Sequence, residues 1–86
     1  MPINDLLTIM AQLRDPNNGC PWDIEQTFDS IAPCAIEEAY EVREAVTNQD
    51  YNGLRDELGD LLLQVVFHSQ IAEESEIFNF DEVVDG

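Results

Sequence analysis

The sequence contains no lysine, and its basic residues are Arg14, Arg43 and Arg55 alone, set against nineteen Asp and Glu for a formal net charge of -16. Direct binding of nucleic acid or of an anionic membrane needs a basic face, and so few cations cannot build one. A phosphate-bearing ligand would have to arrive with a cation of its own. Cysteine and histidine are also scarce: Cys20, Cys34 and His68 are all there is. Without a Cys-x-x-Cys pair, and with one His, this is a poor zinc site and a poor disulfide framework. Two isolated thiols are ordinary in a reducing cytoplasm, the expected location. The first residues lack the basic stretch and long apolar core of a signal peptide. No apolar run approaches the ~20 residues that span a bilayer. Strand-like alternation, internal repeats and low-complexity tracts are missing as well.

What remains is helical. The 86 residues suffice for one small domain, and at this size a monomer buries only about 60% of the surface of its unfolded chain, so a partner subunit would help. "NDLLTIMAQLR" places Leu6, Leu7, Met10 and Leu13 at helical spacing, with Asn4 or Asp5 as expected N-cap. "DPNNGCPWD" is rich in turn formers and predicts irregular structure around Trp22. A second helix is expected from Ser30–Pro33 to about Thr47, with Ser30 as cap and Pro33 in the first turn. A third is expected from about Tyr51 to Glu74, capped by Asp50. The short connection between the two favours an antiparallel pair. "NFDE", Asn79 to Glu82, has the pattern of a capping box and announces a last helix that the remaining residues leave too short to deliver.

The second and third helices carry acids where apolar residues would serve a core better. Glu38 and Glu41 are three apart and share a face with Ala35, Val42 and Ala45, while Glu37 and Glu44 fall on another side. Glu57 and Asp60 repeat that spacing, and Gln64 and His68 continue the same polar stripe along an otherwise apolar helix. Burying ionised carboxylates costs several kcal/mol each unless something compensates. Three arginines cannot neutralise so many acids; protonation or a hard divalent cation such as Mg²⁺ or Mn²⁺ is the other compensation. Spacing alone leaves open the plainer reading of a solvated acidic surface.

The segments "LRDPNNGCPWDIEQT", "IEEAYEVREAV" and "LRDELGDLLLQVVFHSQIA" closely resemble the first helical domain of the MazG nucleoside triphosphate pyrophosphohydrolases. The family signature, E-E-x-x-E followed after a spacer by E-x-x-D, stands here as Glu37-Glu38-Ala39-Tyr40-Glu41 and Glu57-Leu58-Gly59-Asp60. The resemblance implies an all-α, antiparallel helical bundle in a single domain covering residues 1–86, dimeric or higher in assembly. It implies Mg²⁺-dependent cleavage of nucleoside or deoxynucleoside triphosphates to the monophosphate and pyrophosphate. By the motif, Glu38, Glu41, Glu57 and Asp60 would be metal ligands, with Glu37, Glu38 and Glu41 in catalytic roles and Glu37 orienting a neighbour or the attacking water. Trp22 would stack on a base or anchor its loop, and Gln64 would approach the substrate. Relatives continue beyond the equivalent of Gly86 and supply basic residues from a following helix. The expectation is therefore a chain truncated before its last helix. The other reading is a catalytically weak oligomerisation or regulatory module that keeps the metal site.

Overall fold

The computed structural model describes residues 2–86, and among them every regular element is a helix. They are α1 (Ile3–Leu13), α2 (Pro21–Glu25), α3 (Phe28–Thr47), α4 (Tyr51–Glu74) and α5 (Phe80–Asp85). The long pair α3 and α4 folds back on itself through Asn48–Asp50. Gln49 takes a positive φ of 56° in that turn, and the Asp50 carboxylate accepts a hydrogen bond from the Gly53 N–H at 2.9 Å to start α4. The hairpin sets the long dimension of the molecule, 42 Å against 26 and 23 Å.

The core does not run the length of this hairpin. Met10, Ile31, Val66, Phe67 and Ile71 are buried together, with Leu6, Leu7 and Phe80 packed against them. These residues tie α1, the start of α3 and the second half of α4 into one cluster. At the other end of the hairpin Ala45 is buried, while Leu58 and Leu62 remain substantially exposed.

Four local expectations need correction. The first helix is preceded by Pro2 with no side-chain cap, because Asn4 and Asp5 already lie inside it. The Trp22 loop is not wholly irregular: Pro21 stands at the first position of α2, where a missing N–H removes no helical bond. α3 begins at Phe28, capped reciprocally by Thr27 and Ser30, whose hydroxyls accept from each other's backbone N–H at 3.2 and 2.8 Å. Pro33 consequently sits in the second turn, where it forfeits one helical hydrogen bond. The Asn79–Glu82 capping box forms on both sides, and α5 does exist, for six residues.

Arg14 fastens the loop between α1 and α3. Its side chain is only 8% exposed. It holds both carboxylate oxygens of Glu74, Nε to Oε2 at 2.8 Å and Nη2 to Oε1 at 2.9 Å, while Nη1 donates to the carbonyls of Asp23 and Gln26. The guanidinium also lies 5.8 Å from the centre of the Phe67 ring. Its hydrogen bonds hold the Glu74 carboxyl below its ordinary value of 4.5. Hydrogen bonds to charged groups contribute about 1.5–3 kcal/mol each, so Arg14→Leu should cost roughly 2–3 kcal/mol. For a chain of this size that lowers the thermal midpoint by about 10 °C or more, whereas exposed Arg43→Leu should change it little. A depressed carboxyl stabilises above its unfolded value. The midpoint gap between the unmodified chain and Glu74→Gln should therefore be full at neutral pH and close as pH falls below 4.5 through the lowered folded value.

Candidate metal centre

Facing turns of α3 and α4 bring three acids together. Glu38 from α3 and Glu57 and Asp60 from α4 each offer a carboxylate oxygen, all within 4.8 Å of one another. Spacing within each helix explains why: Glu57 and Asp60 are one turn apart on one side of α4, and the hairpin lays that side against Glu38. Glu38 and Glu57 are half-buried and Asp60 is exposed.

Two electrostatic details mark the cluster. Glu38 Oε2 is buried and has no hydrogen-bond partner among the described residues. Glu57 is pushed above its ordinary value of 4.5, first by desolvation, then by the close approach and negative charge of the Glu38 carboxylate, with the charges of Asp60 and Asp56 adding to it. Among the described residues no ion pair reaches the cluster: Arg14 is committed to Glu74, Arg55 lies 3.5 Å from Asp56 on an exposed face, and Arg43 is exposed and forms none. An orphaned buried oxygen among converging hard donors fits a divalent cation such as Mg²⁺ or Mn²⁺.

The remaining candidates fall at increasing distance. Glu41 is exposed, one turn along α3 from Glu38, and lines a shallow hollow with Glu57, Glu44 and Asp50. It adjoins the cluster without being one of the three converging groups. Glu37 is exposed on another side of α3. Gln64 follows Asp60 by one turn, and its Oε1 is buried without a partner among the described residues. Trp22 stays 58% exposed and meets Phe67 edge-on, with ring centres 6.3 Å apart, about two turns along α4 from Asp60. That contact packs α2 against α4. Two features escape sequence reasoning. Arg14 looks like any of the three arginines until its partners are seen. The stacking of Phe28 on His68, with ring centres 6.2 Å apart, joins residues forty positions apart that no periodicity links.

The carboxylate pairs and their spacing can be set beside known proteins. The family model for the MazG nucleotide pyrophosphohydrolase domain matches residues 26–86. The chain belongs to the MazG family. It is 58% identical over 81 residues to a nucleoside triphosphate pyrophosphohydrolase of Escherichia coli K12, a match covering 94% of this chain and 31% of that protein. It is 48% identical over 80 residues to the nucleoside triphosphate pyrophosphohydrolase/pyrophosphatase MazG of Thermotoga maritima, covering 93% of this chain and 31% of the other. With the Mycobacterium tuberculosis nucleoside triphosphate pyrophosphohydrolase the identity is 45% over 83 residues, covering 94% of this chain and 25% of that protein. This MazG domain thus spans less than a third of each of those relatives. Both carboxylate pairs of the MazG signature lie inside the matched segment. No helix among the described residues is long and apolar enough to cross a membrane.

Proposed function

We propose that this MazG domain hydrolyses nucleoside or deoxynucleoside triphosphates to the monophosphate and pyrophosphate, using Mg²⁺ or Mn²⁺ held by Glu38, Glu57 and Asp60 with Glu41 from the adjoining turn. The observation that carries the reading is the buried, unpartnered Oε2 of Glu38 among carboxylates that no arginine neutralises. When bound, the cation would offset the negative charge shared by site and triphosphate and polarise the phosphate under attack.

The chain's own residues supply the rest. Glu38, Glu57 and Asp60 set a fixed concentration of negative charge at one point of the hairpin, which selects a cation–triphosphate complex over free phosphate anion. Glu41, exposed one turn from Glu38, would also accept the proton of the attacking water as general base. Water oxygen then bonds to the α-phosphorus, the bond from that phosphorus to the α–β bridging oxygen breaks, and pyrophosphate leaves with the electron pair. Glu37, on the outer side, would act by orienting its neighbours. The deciding experiment is a pyrophosphate assay on a panel of NTPs and dNTPs with Mg²⁺ or Mn²⁺. Orthophosphate release, or no turnover, would favour the regulatory-module reading instead.

Association is part of the proposal. Tyr51, Leu58, Leu62 and Val65 are exposed along α4 at heptad-like spacing, a stripe suited to a second copy. Light scattering at micromolar concentration should return about two chains; a mass near 9.7 kDa would reject the dimer.

A further inference from the structure

We propose that Asn52 is a site of spontaneous deamidation in the folded chain, gated by the Asp50 cap of α4, while the same chemistry at Asn18 is locked. The inference stands apart from the triphosphate reading and needs no cation. The sequence holds two Asn–Gly dipeptides, Asn18–Gly19 and Asn52–Gly53, and in each the asparagine is exposed. Asn–Gly is the dipeptide most prone to lose ammonia, because glycine has no Cβ to obstruct attack by its backbone nitrogen. That nitrogen gives up its proton to hydroxide and bonds to the Asn Cγ. The carboxamide C–N bond breaks, and ammonia leaves with a proton from water. The cyclic imide that results takes up one water. Opening at Cγ restores the main chain as Asp; opening at the main-chain carbonyl leaves isoaspartate, whose backbone runs through Cγ.

Both glycine N–H groups are tied, but by unequal means. Gly19 N–H donates to the Asp15 carbonyl at 2.8 Å, and the next residue, Cys20, donates to the Leu13 carbonyl at 2.8 Å. A Cβ at Gly19 would run into both of those carbonyl oxygens, so main chain packs against the glycine on that side. Arg14, beside this loop, adds its bonds to the carbonyls of Asp23 and Gln26. Freeing the Gly19 nitrogen therefore means dismantling the loop. Gly53 is held differently. It is the third residue of α4, where no intrahelical carbonyl is available. One side-chain bond occupies it, from its N–H to Asp50 Oδ1 at 2.9 Å. The carboxylate lies in the space that a Cβ at residue 53 would need, so this cap calls for the same glycine that makes Asn52 vulnerable. Helical ψ keeps the Gly53 nitrogen out of line with the Asn52 Cγ, so reaction waits on unwinding of this first turn. Helix ends open far more readily than packed interiors, and this end stands away from the buried cluster of Met10, Ile31, Val66, Phe67 and Ile71. Isoaspartate there would add a methylene to the backbone five residues ahead of Glu57 and keep the turn from re-forming.

Peptide mapping by mass spectrometry reads the two sites separately. Trypsin cuts after Arg14, Arg43 and Arg55, which leaves Asn18 in the 15–43 peptide and Asn52 in the 44–55 peptide. During incubation of the 86-residue chain at mildly alkaline pH, the 44–55 peptide should gain the mass of an amide-to-acid conversion and split into aspartyl and isoaspartyl forms. The 15–43 peptide should convert at least about tenfold more slowly, a gap that guanidinium chloride should close by unfolding both sites. Asn52→Gln should all but abolish conversion of the 44–55 peptide, which assigns it to Asn52 over Asn48. Asp50→Ala should speed that conversion roughly fivefold, as for a lost N-cap, with the 15–43 peptide unchanged; Asp50→Ser, which restores an acceptor, should hold the unmodified rate. Equal rates for the two peptides in the folded chain overturn the inference, as does conversion confined to guanidinium chloride. It also falls if conversion survives Asn52→Gln, or if Asp50→Ala reacts no faster than Asp50→Ser. Should Asp50→Ala unfold the chain, both peptides accelerate together, and the ranking of the two sites in the unmodified chain decides.

Discussion

Asp60→Asn and Glu38→Gln should each lower pyrophosphate release by at least about 10²-fold. Both substitutions keep the shape of the side chain and remove its charge. Changing residues that merely support a metal ligand costs 10- to 100-fold, so removing a ligand oxygen should cost no less. On the proposed reading the effect runs through the cation, so raising MnCl₂ should restore part of the loss for exposed Asp60 more readily than for half-buried Glu38. Arg43→Gln, exposed and on the far side of α3, should stay within about twofold of the unmodified chain. Equal losses in all three variants would point to unfolding instead of chemistry. Full activity in Asp60→Asn would remove Asp60 from the site.

The second large effect is on stability. A cation that binds the folded chain alone stabilises it by about 2.7 kcal/mol at a hundredfold excess over its dissociation constant. For a domain of this size that is a rise of about 10–20 °C in the thermal midpoint. The metal-free chain carries an opposite burden at the same spot, because Glu57 is desolvated and crowded by Glu38, Asp60 and Asp56. Glu57→Gln should therefore melt a few degrees higher than the unmodified chain without metal and respond far less to adding it. A group with a raised folded value stabilises at low pH and loses that contribution as pH climbs through the raised value. Metal-free stability attributable to Glu57 should accordingly grow as pH drops toward 4.5, while the metal-induced rise shrinks, since protons and cation compete for the same oxygens. A midpoint indifferent to millimolar Mg²⁺ and Mn²⁺ would sink the metal centre.

The helical architecture and the facing of three acids from the two pairs were legible because both depend on short-range rules. Asp50 caps α4, and the polar stripe of α4 follows from residues three and four apart meeting on one face. Glu38, Glu57 and Asp60 could be read as neighbours once a short connection made α3 and α4 antiparallel. Glu41 shows the limit of that reasoning. Angular position puts it on the same face as Glu38, and it shares a hollow with Glu57 and Asp50, yet the three oxygens that converge are those of Glu38, Glu57 and Asp60. Helix starts were misplaced where two caps competed: Ser30 reads as an N-cap, yet Thr27 captures its backbone N–H and moves the helix three residues upstream. Arg14 and Phe28 were opaque for a different reason. Their partners Glu74 and His68 lie sixty and forty residues away, and only the packed chain chooses them.

Because the buried cluster of Met10, Ile31, Val66, Phe67 and Ile71 clamps one end of the α3–α4 hairpin, the two ends should differ in how readily their amides meet solvent deuterium. Protection in α4 should peak around Val66 to Ile71 and decline toward Leu54, where little apolar surface resists local opening. The carboxylates stand on the readily opening side. Loading them with a cation should flatten that gradient, so that one inorganic ion acts as the second clasp of a hairpin otherwise fastened at a single end.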